Sequence, residues 1–184
     1  MSDPSAAADH PDVNADGTLW TGPVPSSDLP PGVQRVAVAL ARLGATGQIR
    51  ELPERAATAA TAAAALGVEV AAICNSLIFE ADRSPLLVLA SGAHRVDLTK
   101  VEGIVGASTV RRATPEFVRS ATGQPIGGVA PVGHPNPLRT LVDVDLSRFP
   151  VVWAAGGHPH FVFPTSYHEL LRITAGEAVE VGEG

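Results

Sequence analysis

The stretch Gly127-Gly128-Val129-Ala130-Pro131-Val132-Gly133-His134-Pro135-Asn136-Pro137 constrains the fold more than any other part of the chain. Three glycines and three prolines in eleven residues bar both a helix and a central strand. Glycines reach backbone angles closed to other residues, prolines stiffen the path, and Gly127, Gly128 and Val129 keep their amide donors. A rigid loop with exposed N–H groups suits a carbonyl, a phosphate or a developing oxyanion. A plain surface turn is the competing account. Apolar sequence on both flanks argues instead for a loop set into a core.

At 184 residues the chain is one domain with a tail, large enough to bury a core without staples. Its single cysteine, Cys74, excludes an internal disulfide framework and fits a reducing compartment. The acidic, polar start has no signal-peptide core, and no apolar run reaches membrane-spanning length. The expected location is cytoplasmic, with neither membrane nor DNA as partner. The net charge of −6 is unevenly placed. The two ends, 1–32 and 177–184, hold eight of the nineteen acids and none of the thirteen bases. The mildly basic body can receive a nucleic-acid end but is no broad phosphate-binding surface.

Residues 1–32, with few large apolar side chains, read as a disordered acidic leader, and Trp20 is a candidate for docking. From residue 33 to 184 the chain reads as one α/β (α+β) domain. Helices are expected over Val33 to Leu43, over the Ala/Thr run at 56–66, after Asp97, from Thr114 to Gly123 and after Ser166. The second of these should be packed rather than solvated. Strands are expected at 47–52, 72–80, 86–90, 141–145, 151–155, 158–163 and 178–181, the second and third joined by a turn at Asp82-Arg83-Ser84-Pro85. Without regular βαβ spacing, six to seven strands should form a mixed, curled sheet or barrel surrounded by helices.

Several side chains are candidates for chemistry. His158 and His160 could present two imidazoles to a metal, but there is no nearby cysteine and no H-E-x-x-H pattern, so no metal site is expected. Cys74 lies in an apolar strand, where a buried thiol is inert. Asp143 and Asp145 either share a strand face as a carboxylate pair or lie at a strand end, one solvated and one capping. His134, in the rigid loop, is the best-placed acid or base. No G-x-S-x-G elbow is present.

The order of Ala64-Ala65-Leu66-Gly67, Ile73-Cys74-Asn75-Ser76-Leu77-Ile78-Phe79, Gly127 to Gly133, Asp143 and Ala155-Gly156-Gly157 resembles the YbaK/EbsC family. That family holds free-standing relatives of the prolyl-tRNA synthetase editing domain, and the resemblance covers about residues 33–181. It implies a curled mixed sheet and hydrolysis of the ester joining a wrong amino acid to a tRNA 3′ end, with no cofactor. It also implies that Gly128-Val129-Ala130-Pro131 shapes the amino-acid pocket, that loop amides meet the carbonyl, and that the terminal adenosine's hydroxyl assists the attacking water. The chain departs from the family pattern twice. The family's strand lysine is Asn75 here, which donates hydrogen bonds without charge. The second glycine turn reads Ala155-Gly156-Gly157-His158-Pro159-His160 in place of a basic sequence.

The site expected from this reading has Asn75, His134 and Gly128 as catalytic residues. Gly127, Val129, Ala130, Pro131, Gly133, Ala155, Gly156, Gly157, His158 and His160 bind the aminoacyl-tRNA 3′ end. The small residues of the loop point to Ala, Ser, Cys or Thr as the amino acid removed. A non-catalytic module that binds an aminoacylated or adenosine-like end, and a small-molecule hydrolase using the same loop, are the alternatives.

Overall fold

Among the described residues the chain forms five helices and eight strands, one strand more than the six to seven expected. The added one, Val110–Arg112, is three residues long and carries no turn or alternation signal of its own. The computed structural model describes residues 29–183; the leader up to Asp28, Trp20 included, lies outside them. Helix α1 (Pro31–Arg42) starts at a proline already shaped for a first turn and buries Val33, Val36 and Leu40. It takes in Pro31 and Gly32, which the sequence reading gave to the leader. Helix α2 (Ala59–Leu66) is capped by Thr58, whose hydroxyl accepts from Thr61 N while Thr61 returns a bond to Thr58 N. Only Ala62 and Ala63 are fully buried, so α2 is packed along one stripe and solvated elsewhere. Side chains of Asp97, Thr114 and Ser166 cap α3 (Leu98–Val105), α4 (Pro115–Thr122) and α5 (Tyr167–Thr174).

The strands are β1 (Arg50–Glu51), β2 (Ile73–Ala81), β3 (Ser84–Ser91), β4 (Val110–Arg112), β5 (Arg139–Asp143), β6 (Val152–Ala155), β7 (Phe161–Thr165) and β8 (Glu177–Val179). They form one mixed sheet in the order β1-β7-β6-β2-β3-β5-β8, with β4 paired to β2 off this path. The pairs β2–β6, β3–β5 and β5–β8 are parallel; the rest are antiparallel. The hairpin turn is tighter than the sequence suggested. Asp82 and Arg83 alone make it, both at positive φ, and Ser84 and Pro85 already belong to β3. Such a two-residue turn matches the twist of the strands it joins. Asp82 fixes it by accepting from Ser108 N and Thr109 N.

The fourth expected strand is shorter than read. β5 stops at Asp143, and Val144–Arg148 turn into a 3-10 helix that Asp143 caps through Asp145 N. Asp143 and Asp145 therefore do not share a strand face, and the strand-end alternative holds.

Each face of the sheet has its own core. Cys74 and Ile78 of β2 pack with α1, α4, α5 and the loop residues Val129, Ala130 and Val132. Phe79 packs with Val101 of α3 on the other face, and Ile73 with Ala62 and Ala63 of α2. The two glycine turns rest directly on α1. A Cβ at Gly133 would stand 3.1 Å from Val36 N, and one at Gly157 would stand 2.8 Å from the Gly32 carbonyl.

Candidate active site

The site arises where the sheet splits. Strand β6 pairs with β2 only at Ile73 and Cys74, and β4 pairs with the same edge only at Phe79, Glu80 and Ala81. Gly92 N donates to the Ile73 carbonyl on the β3 side, and Ala113 N donates to the Ile78 carbonyl on the opposite side. Peptide direction alternates along a strand, so the N–H and C=O of Ser76 point into the gap between β6 and β4. No neighbouring strand meets them there.

Over this gap lies a cavity of about 330 Å³. Its wall is mostly apolar, built from Ala56 just before α2 and Ala59 and Ala62 within it, from Ile73 and Leu77, and from Trp153 and Val162. Asn75 lies on the wall, half-buried, and its amide makes no hydrogen bond to another described residue. The Ser76 hydroxyl is buried and also has no partner among the described residues. Among the described residues no Asp, Glu, His or Lys lines the cavity. Cys74 does, but burial and the nearby Asp143 carboxylate push its thiol well above the usual range and keep it protonated. Arg112 is the single charged residue on the lining among the described residues.

Of the residues expected from sequence, Asn75, Gly127, Val129 and Ala155 come together at the cavity. Gly127 has φ of 84°, accessible to glycine, and its missing side chain leaves room for Ala57. The three loop amides divide. Gly128 N donates to the Pro125 carbonyl and is spent within the loop. Gly127 N and Val129 N bond to no other described residue. Gly128 serves packing: a Cβ there would stand 2.6 Å from His158 Cα, so this glycine lets the two turns touch backbone to backbone.

Ala130, Pro131, Gly133, Gly156 and Gly157 lie behind the cavity wall rather than on it. His134 is away from the cavity too. It borders the outer grooves beside α1, and its Nε2–H donates to the Ala130 carbonyl at 2.8 Å. Burial lowers its pKa, against the opposing pull of that carbonyl. His134 thus braces the loop and does not line the cavity. His158 and His160 stack on one another at 5.6 Å, and Nδ1 of His158 accepts from His160 N. Neither lines the cavity. No group of three His, Cys, Asp or Glu among the described residues could hold a metal.

Gln124, which the sequence reading passed over, sets the loop's shape. It is fully buried, its Oε1 accepts from Ala130 N at 2.7 Å, and its Nε2 reaches the carbonyls of Val132 and Gly133. A loop this rich in proline can pair little with itself beyond the Gly128–Pro125 bond, so a side chain satisfies much of the rest. The signal was a glutamine placed between the Gly123 helix stop and Pro125. His94 was missed as well. Asp143 accepts from Ser91 N and from the ring Nδ1 of His94, while Asp145 faces the ring's Nε2 at 2.8 Å. Asp143 and Asp145 are therefore structural groups that tie β3 to the end of β5.

The chain belongs to the aminoacyl-tRNA editing domain family, whose model matches residues 53–173. It is 33% identical over 159 residues to the proline–tRNA ligase of Nitratidesulfovibrio vulgaris (strain DP4), a match covering 76% of this chain and 28% of the ligase. It thus spans little more than a quarter of that relative's length. It is 33% identical to the uncharacterized protein YwhH of Bacillus subtilis (strain 168), covering 68% of this chain and 80% of YwhH. A crystal structure of a proposed trans-editing enzyme for prolyl-tRNA synthetase superposes with a TM-score of 0.80 at 44% identity, over 85% of this chain and all of the other. The mixed α/β fold and the family expected from the resemblance agree with these findings. Among the described residues no helix is long and apolar enough to cross a membrane.

Proposed function

We propose that this protein is an aminoacyl-tRNA deacylase acting in trans, which hydrolyses the ester between a small amino acid and the 3′-terminal adenosine of a mischarged tRNA. One observation carries the reading. Among the described residues, the cavity lining includes Asn75, Gly127 and Val129, whose amide N–H groups have no described partner outside the β2–β3 ladder, and it includes no side chain able to act as a base. The ester carbonyl is held among the N–H groups of Gly127 and Val129 and the amide of Asn75, which stabilise the oxyanion as water adds to the carbonyl carbon. The terminal hydroxyl next to the ester takes the part of the missing protein base and positions that water. Collapse of the tetrahedral intermediate releases the amino acid and the tRNA hydroxyl. The alanines in and just before α2, more than the loop, limit the side chain that fits, which favours Ala, Ser, Cys or Thr. The partner is the charged tRNA end, met in the cytoplasm where translation runs.

Asn75 favours a second reading, in which the same cavity binds the charged end without turning it over. A panel of mischarged tRNAs decides between them. Release of one small amino acid at least tenfold above the uncatalysed rate supports the deacylase, and saturable binding without release supports the binding module.

A further inference from the structure

Among the described residues the cavity holds no lysine, yet one cation stands at its mouth. Arg112 pairs with Phe79 across β2 and β4, and directly opposed residues of antiparallel strands project to one face. Asn75 is on that same face of β2, four residues away, about 13 Å along the strand. Arg112 is exposed and has no acidic partner among the described residues. Its neighbour Arg111 is on the opposite face, in an ion pair with Glu80. The strand end thus carries two adjacent arginines, one neutralised and one open beside the cavity.

We propose that Arg112 is the phosphate-binding residue of this site, gripping the phosphodiester on the 5′ side of the terminal adenosine while the ester enters the cavity. This assignment rests on the deacylase reading above. The geometry suits it: an ester against the Asn75 wall leaves the 5′ phosphate one ribose away, towards the mouth. A planar guanidinium makes two parallel bonds to phosphate oxygens, which an ammonium does not match. The cation absent from position 75 is in this way supplied from β4, displaced from the reacting ester to its flank. It contributes to holding substrate rather than to the developing oxyanion.

The test compares adenosine carrying a 3′-alanyl ester with the same compound bearing a 5′-phosphate. The wild type should hydrolyse the nucleotide with kcat/KM about tenfold above the nucleoside, mostly through KM. Arg112→Gln should remove most of that preference, Arg112→Lys should keep part of it, and Arg111→Gln should keep all of it. Equal losses on both compounds in Arg112→Gln, or a preference that survives the substitution, would overturn the assignment. If the wild type hydrolyses neither compound, the deacylase reading fails by itself. The same comparison is then made by calorimetric titration with amide-linked analogues. A phosphate preference abolished by Arg112→Gln supports the assignment there too, and its absence or persistence overturns it.

Discussion

Gln124 Oε1 and Ala130 N are 2.7 Å apart, and this one bond joins the end of α4 to the middle of the glycine–proline loop. With both carbonyl contacts of its Nε2, the side chain replaces the backbone pairing that Pro125, Pro131 and Pro135 forbid. Gln124→Ala should therefore leave a buried amide and two carbonyls unpaired and cost about 2–4 kcal/mol in urea unfolding. Gln124→Glu should cost nearly as much, since a carboxylate accepts from Ala130 N but cannot donate to the carbonyls. A loss under about 0.5 kcal/mol would show that the loop holds its own shape.

Gly128 makes a different prediction from the one its loop position suggests. A valine there meets the backbone of His158 and the ring of Pro159, not the substrate space. Gly128→Val should lower the melting temperature or abolish folding, with a cost of about 3 kcal/mol or more. Full stability with lost activity would place Gly128 at the substrate instead.

His134 sets a pH dependence of stability. Burial holds its folded pKa below the ordinary 6.5, so the unfolded chain binds the proton more readily. Stability is then complete above about pH 6.5 and falls as the pH drops below it. His158 is lowered in the same direction, chiefly by burial with His160 and Arg55 adding to it. Denaturation curves at a series of pH values should show a shallower fall for His134→Gln than for the wild type. Because the ring does not line the cavity, deacylation by this variant should stay within about threefold of wild type. A loss of a hundredfold would return His134 to the mechanism.

The side-chain amide of Asn75 bonds to no other described residue, so Asn75→Ala should change stability by less than about 0.5 kcal/mol while lowering turnover. Asn75→Lys places a cation beside the developing oxyanion. If that contact forms in the transition state alone it is worth about 1.5–3 kcal/mol, or ten- to a hundredfold in rate. Single-turnover deacylation by both variants checks this. Wild-type rates in both would put residue 75 outside the site.

The Ser76 hydroxyl is buried without a partner, and such a group costs free energy by its presence. Ser76→Ala should be neutral or stabilising by up to about 1 kcal/mol in thermal unfolding. A destabilisation above about 1 kcal/mol would reveal a bond to that oxygen.

The helix caps at Asp97, Thr114 and Ser166 were legible in the sequence because capping is settled within four residues. So was β2, an apolar run bounded by a turn. The Thr58 cap, by contrast, was hidden in a run of alanine and threonine read as helix from residue 56. The gap at Ser76 was not legible, since it depends on where two strands from distant parts of the chain cease to pair. The loop could be read as rigid from its prolines, but not which of its sides faces the cavity. His134 was for that reason placed at the chemistry when it braces the far side. Gln124 was overlooked because a lone glutamine after a helix reads as solvated. Asp143 and Asp145 lie at a strand end as read, with Asp143 as the cap, but β5 is shorter than read, because the turn after Asp143 is a bend that Val144 did not announce.

The split edge of β2 also bears on how the chain is made. During synthesis β2, β3 and β4 emerge and can pair while β6 and β7 are still unbuilt. Until β6 arrives, the whole β2 edge from Ile73 to Ile78 is open, apolar and able to pair with a second nascent chain. The opening at Ser76 is what remains of that edge once folding ends. Variants that slow the arrival of β6, such as a proline at Trp153, should accordingly be lost to aggregation during expression before their activity can be measured.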